Sequence, residues 1–181
     1  ELLKLGSICL KHNIKIISDE IHSDITFKKF IPIASLSEEI ASITITLNSA
    51  GKSFNIAGLN SSYVICKNKT LLNRFKKVAK KRQINSINYF GLVATQAAYE
   101  NGGSFIDQLN EYLIQNIKFT ENYIKENNPK IKFYKPEATY LIWLDFRETN
   151  LSHEEIKQTL LTKAKVGLND VVSFGNIGEG F

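Results

Sequence analysis

Ile43-Thr44-Ile45-Thr46-Leu47-Asn48-Ser49-Ala50-Gly51-Lys52-Ser53 is the stretch on which the fold turns. Its first half is largely β-branched and suits a pleated strand; it breaks at Asn48-Ser49 into small residues and a lysine. Upstream, Ile14-Lys15-Ile16-Ile17-Ser18 is a similar run that ends at Asp19. Downstream, Ser62-Tyr63-Val64-Ile65-Cys66 reads as a third strand. Between and around these runs the apolar spacing becomes helical. Leu2, Leu3, Leu5, Ile8, Cys9 and Leu10 form one face, broken near His12-Asn13, and Leu71, Leu72, Phe75, Val78 and Ala79 form another, on a helix that Thr70 would cap. Strands alternating with helices predict an α/β sheet with helices on its faces.

From Asn85 the pattern changes. A helix through Leu92, Ala94, Ala97 and Ala98 reaches Asn101-Gly102-Gly103, and a longer one runs from Phe105 through Leu109, Leu113, Ile117 and Ile124. Proline at Pro129 forbids its continuation. Lys130-Ile131-Lys132-Phe133-Tyr134 and Thr139-Tyr140-Leu141-Ile142-Trp143-Leu144-Asp145 read as a pair of strands around Pro136. Ser152 then caps a helix carrying Ile156, Leu160 and Leu161, with Glu155 completing a capping box. This last part is expected to be a smaller α+β domain, with the division at residues 1–115 and 116–181.

The 181 residues are 43% hydrophobic and 23% charged, ordinary for a globular protein, and no run approaches the ~18 apolar residues of a membrane span. No basic-then-apolar leader precedes the first helix. Cys9 and Cys66 sit in apolar patterns and read as buried free thiols of a reducing, cytoplasmic compartment. The net charge of +5 comes largely from Arg74, Lys76, Lys77, Lys80, Lys81 and Arg82. These fall on the solvated face of their helix, and no aromatic residues interleave them, so nucleic-acid binding is not expected. The chain has no methionine, opens inside a helical pattern at Glu1-Leu2-Leu3 and stops at Gly178-Glu179-Gly180-Phe181, so both ends read as cut.

Two strand ends hold residues that could do chemistry, because ligands collect at the carboxyl ends of α/β strands. Asp19 stands at one and Lys52 follows the other. Gly51-Lys52-Ser53 matches the end of a phosphate-binding G-x-x-x-x-G-K-[ST] loop, but the opening glycine would have to be Thr46, inside the strand. A lysine that bonds covalently to a carbonyl cofactor, with an acidic partner for the cofactor's ring nitrogen, explains both residues. Such a lysine needs a desolvated setting. On spacing alone, Asp19 could equally be a turn cap and Lys52 a surface lysine.

The runs SDEIHSDI (18–25) and NSAGKSFNIAGLNSSYVI (48–65) resemble the pyridoxal-phosphate (PLP) enzymes of the class I/II aminotransferase superfamily. Within that superfamily they look like the cystathionine β-lyase-type C–S lyase branch. The resemblance continues through NYFGLVATQAAYENGG, PEATYLIWLDF and VGLND…SFGNIGEGF, so it covers essentially the whole chain. It implies the large domain of PLP fold type I followed by part of the small domain. It also implies that Lys52 carries the cofactor and acts as base, that Asp19 pairs with the pyridinium nitrogen, that Ser49 bonds the phosphate, and that His22 lies near the ring's phenolic oxygen. A structural histidine is the plainer reading of His22. Asn60 stands where many aminotransferases carry a phosphate-clamping arginine, and Gly51 where serine is frequent. The phosphate loop, the ring-stacking aromatic and the substrate-carboxylate arginine should lie outside these residues.

The implied reaction is α,β-elimination on cystathionine or a cysteine S-conjugate, by a cytoplasmic homodimer that needs no metal. A transaminase using the same Lys52 and Asp19 is the alternative, and a PLP-binding regulatory module is a non-enzymatic one.

Overall fold

The computed structural model describes residues 1–84 and 88–181; the change of pattern at Asn85 lies outside the described residues. The chain divides into two compact units, Glu1–Asn110 and Glu111–Phe181, with the division inside a single long helix.

The first unit is built on a three-stranded sheet of order β1-β2-β3: Ile16–Asp19, Thr44–Asn48 and Tyr63–Ile65. β1 and β2 are parallel, with Ile16 opposite Thr44 and Asp19 opposite Leu47, as the alternating sequence pattern predicts. The Glu20 N–H extends this ladder by one bond to the Leu47 carbonyl at 2.9 Å. β3 returns antiparallel to β2, with Asn48 opposite Tyr63. Residues 49–62, which connect them, contain a single turn of α-helix, too little for the crossover that a parallel return requires.

Local chemistry explains where the elements begin and end. Helix α1, Leu2–Lys11, exits through Asn13 in the left-handed region (φ 53°), and the Ile14 N–H closes onto the Cys9 carbonyl at 2.8 Å. Ile14 therefore belongs to the helix exit and β1 starts at Ile16, two residues later than the sequence pattern suggests. Ile43 similarly ends a short helix, α2 (Glu38–Ile43), whose first turn is capped by Ser37 accepting the Ile40 N–H at 3.2 Å. The core is aliphatic: Ile25, Ile33, Ile40, Ile43 and Ala50 are buried, and full burial of a side chain the size of Ile25 contributes about 1.5–3 kcal/mol. The apolar face expected of α1 is only partly covered. Gly6 and Cys9 are buried, with Gly6 directly against Ile40, while Leu3 and Leu5 stay exposed.

The one-turn helix α3 (Ala50–Ser53) follows β2 after Ser49 alone, and the basic helix α4 (Lys69–Lys81) follows β3. Asn68, not Thr70, caps α4: its Oδ1 accepts the Leu71 N–H at 3.1 Å, while its Nδ2 donates to the Ser42 carbonyl at 3.0 Å. That second bond, to a residue far off in sequence, is what selects Asn68. Helices α5 (Tyr89–Asn101) and α6 (Gly103–Asn127) match the expected pair, and α6 ends just before Pro129.

The second unit pairs β4 (Lys132–Tyr134) with β5 (Trp143–Asp145), antiparallel, with Lys132 opposite Asp145. β5 is shorter than the run from Thr139 because Thr139 is itself left-handed (φ 67°) and its Oγ1 accepts the Leu141 N–H at 3.2 Å. The expected capping box is present at α7 (His153–Gln158): Ser152 Oγ accepts the Glu155 N–H at 3.3 Å, and Glu155 Oε2 accepts the Ser152 N–H at 2.8 Å. No helix among the described residues is long and apolar enough to cross a membrane.

Candidate active site

Asp19 and Lys52 lie at the same end of two hydrogen-bonded parallel strands. Asp19 is the last residue of β1, opposite Leu47 of β2, and Lys52 comes in the helical turn directly after β2. Both side chains are exposed. The carboxylate faces forward from its strand, with Oδ1 accepting the Ile21 N–H at 3.2 Å. The desolvation expected around Lys52 is therefore not supplied by the neighbours it has among the described residues.

The segments after the two strands are stitched together by short polar side chains. Asn48 Nδ2 donates to Ser23 Oγ at 3.1 Å, and Asn48 Oδ1 accepts the Ser49 N–H at 2.7 Å. Ser53 Oγ donates to Asp24 Oδ2 at 2.8 Å, across 29 residues of sequence. The turn that follows Asp19 is closed by Ser23 N–H onto the Glu20 carbonyl (2.9 Å) and Ile25 N–H onto the His22 carbonyl (3.1 Å), and Ile25 plugs it into the core. His22 is half-buried within this turn.

Ser49 is buried and its hydroxyl is engaged at both ends. It donates to the Ser61 carbonyl at 2.6 Å and accepts the Gly51 N–H at 2.9 Å as the cap of α3. A hydroxyl has one proton, so donating to a phosphate requires Ser49 to turn away from Ser61. Gly51 has its own steric reason. A Cβ there would stand 3.0 Å from Ser49 Oγ and 3.2 Å from the Ala57 Cα, so a serine would crowd the turn that presents Lys52. Asn60 occupies a left-handed position (φ 50°), which asparagine tolerates far better than arginine, and its N–H closes the preceding turn onto the Ala57 carbonyl at 3.0 Å. The phosphate-loop alternative fails on geometry: Thr46 lies within β2 and only Ser49 separates the strand from α3, leaving no loop to wrap a phosphate.

Sequence reasoning passed over Asp24, Ser53, Asn48 and Ser23. A signal was available, since each is a small polar residue within five positions of Asp19 or Lys52, but no local pattern pairs them. An aromatic group lies behind α3: Phe54 stands edge-on to Tyr99 (centroids 5.7 Å), and the Tyr63 and Tyr99 hydroxyls are 3.0 Å apart. Burial, that hydrogen bond and the charge of Asp24 together push the Tyr99 phenol well above its usual range. A cavity of about 620 Å³ belongs to the second unit and is lined by residues such as Leu141, Trp143, Leu160, Leu168 and Phe174. None of the four candidate residues lines it, so its size does not bear on this chemistry. No cluster of three or more metal-ligating side chains is present among the described residues.

Known proteins share both the sequence and this fold. Residues 1–178 match the family model described as aminotransferase class I and II, and the chain belongs to that family. The cystathionine beta-lyase PatB of Bacillus subtilis (strain 168) is 40% identical over 183 residues, covering 100% of this chain and 47% of PatB. A PLP-bound protein of Clostridium difficile 630, named for the aminotransferases, superposes with a TM-score of 0.95 at 51% identity, covering 99% of this chain and 47% of that one. Cystalysin from Treponema denticola, whose structure contains a pyridoxal 5'-phosphate cofactor, superposes with a TM-score of 0.91 at 31% identity, covering 99% of this chain and 46% of cystalysin. The fold is thus that of the PLP fold type I enzymes, and the chain spans about half the length of the curated relatives it matches.

Proposed function

We propose that the whole protein is a PLP-dependent carbon–sulfur β-lyase, cleaving cystathionine or a cysteine S-conjugate, with one water consumed, to a thiol, pyruvate and ammonia. The observation that carries this reading is the placement of Asp19 and Lys52 at the carboxyl ends of adjacent parallel strands. An exposed amine and an exposed carboxylate at that edge are the two groups a pyridoxal ring needs, one for its carbonyl and one for its ring nitrogen. Bound PLP supplies a carbonyl for covalent attachment and an electron-accepting ring. Lys52 would hold that carbonyl, and its Nζ, once free, would take the proton from the substrate Cα. Asp19 would keep the ring nitrogen protonated through a charged hydrogen bond. Ser49, once turned from Ser61, would offer its hydroxyl to the phosphate, and His22, in the turn after Asp19, would serve the ring's phenolic side. In this reading residues 1–115 are the C-terminal portion of the large domain and 116–181 part of the small domain of a cytoplasmic homodimer. The two free thiols, Cys9 and Cys66, suit a reducing compartment.

Borohydride reduction of the intact PLP-loaded protein, followed by peptide mass spectrometry, should place the label on Lys52. Label on another lysine defeats the assignment. A substrate panel should show pyruvate released from cystathionine faster than amino groups pass to 2-oxoglutarate. Fast transfer without thiol release would make the protein a transaminase, and sedimentation of the intact protein as a monomer would remove the dimer.

A further inference from the structure

Beyond the ladder end at Asp19 and Leu47, little backbone pairing joins the turn that follows β1 to the turn that carries Lys52. Among the described residues, side-chain bonds from Asn48 to Ser23 and from Ser53 to Asp24 join them. The second is the better built. Ser53 is fully buried, so its hydroxyl has no water to exchange with, and Asp24 Oδ2 accepts its proton at 2.8 Å. Asp24 is fixed in turn from other directions: its carbonyl accepts Asn110 Nδ2 at 3.2 Å, and the next residue, Ile25, is completely buried. Ser53 immediately follows Lys52 in the four-residue helix α3, which is too short to hold its own orientation.

We propose that Asp24 and Ser53 are positioning residues for Lys52, their hydrogen bond fixing the angle at which α3 presents the lysine to the Asp19 end of the sheet. This rests on the reading of Lys52 given above. Without the bond, α3 pivots about Ser49, and a displacement on the order of 1 Å at the reacting amine costs ~10²-fold in rate.

The test uses the intact protein and the variants Ser53→Ala, Asp24→Ala and Asp24→Asn. In cofactor-free protein, acetic anhydride labelling resolved by mass spectrometry gives the reactivity of Lys52 against that of exposed Lys77 as internal reference. The two alanine variants should change that ratio by about tenfold and lower kcat by about 10- to 100-fold with KM nearly unchanged. Asp24→Asn should restore both, because the amide oxygen still accepts the Ser53 proton. Wild-type reactivity and kcat in the alanine variants overturn the proposal, even if their melting temperatures fall, and so does an Asp24→Asn protein as impaired as Asp24→Ala. Should the alanine variants not fold, Ser53→Cys, which keeps a weaker donor of similar shape, is read instead: an intermediate ratio supports the proposal and a wild-type ratio overturns it. Borohydride label away from Lys52 in the wild-type protein would instead defeat the underlying assignment, so the two failures are distinguishable.

Discussion

The polar groups of the two units are organised on opposite plans. In the first, the cross-links are short and mainly neutral, serine to asparagine, serine to backbone, serine to a single aspartate, and the two groups with chemical potential, Asp19 and Lys52, stand exposed beside them. In the second, charges close on each other. Asp145 is buried, and its carboxylate accepts Arg147 Nε at 2.9 Å, Arg147 Nη2 at 2.7 Å and the Arg147 N–H at 3.0 Å. The guanidinium then lies 4.2 Å above the Phe181 ring. Asp170 likewise meets His153 Nε2 at 3.0 Å and Lys157 Nζ at 3.3 Å, while His153 Nδ1 accepts the Gly180 N–H at 3.3 Å. A charge already matched by a structural neighbour holds the chain in place, whereas a charge at an open strand end beside a rigid neutral lattice is available to a ligand. Under the proposed function, the open charges of the first unit serve the cofactor, while the paired charges of the second hold its chain together.

The largest expected effect should separate activity from stability. Lys52→Ala in the whole protein removes the base, so turnover should fall by at least about 10²- to 10⁴-fold. Its melting temperature should stay close to that of the wild type, since an exposed side chain away from any cap or core contributes little to folding. A large loss of stability in calorimetry would break the contrast between the units.

Asp145→Ala should do the reverse. Removing the acceptor of several charge-assisted bonds should cost about 1.5–3 kcal/mol, read as a lower denaturant midpoint. Arg147 holds the Asp145 carboxyl far below the usual carboxylate range, chiefly through its side-chain hydrogen bonds. A depressed folded-state pKa gives stability that is fully present above the unfolded value, about 3.9, and is lost as pH falls below it toward the folded value. Acid titration of the wild type should therefore show a loss of stability that begins below about pH 4, and Asp145→Asn should flatten that limb. An unchanged acid limb in Asp145→Asn would mean that other carboxylates control it.

Ser152→Ala is the smallest of the three. It breaks the capping box of α7 and should cost about 1 kcal/mol by denaturant titration, with no change at Lys52. Lys52 labelling in that variant should match the wild type, and a changed ratio would break the contrast between the cap and the lysine.

Family resemblance singled out Asp19 and Lys52, which spacing alone left open. The local pattern of the sequence determined the α/β class, the ends of β1 and β2, the long helix stopped by Pro129, and the capping box at Ser152 and Glu155. Each of these is written within a few neighbouring positions, where side-chain shape and backbone preference act directly. The tertiary structure decided the rest. It placed Asp19 and Lys52 at the same end of paired strands, chose Asn68 over Thr70 through Ser42, turned Ser49 onto Ser61, joined Ser53 to Asp24, and laid Arg147 over Phe181. These contacts link residues that meet only after the chain has returned on itself, and a hydrogen bond needs its partners within about 3 Å, a condition that no local periodicity encodes.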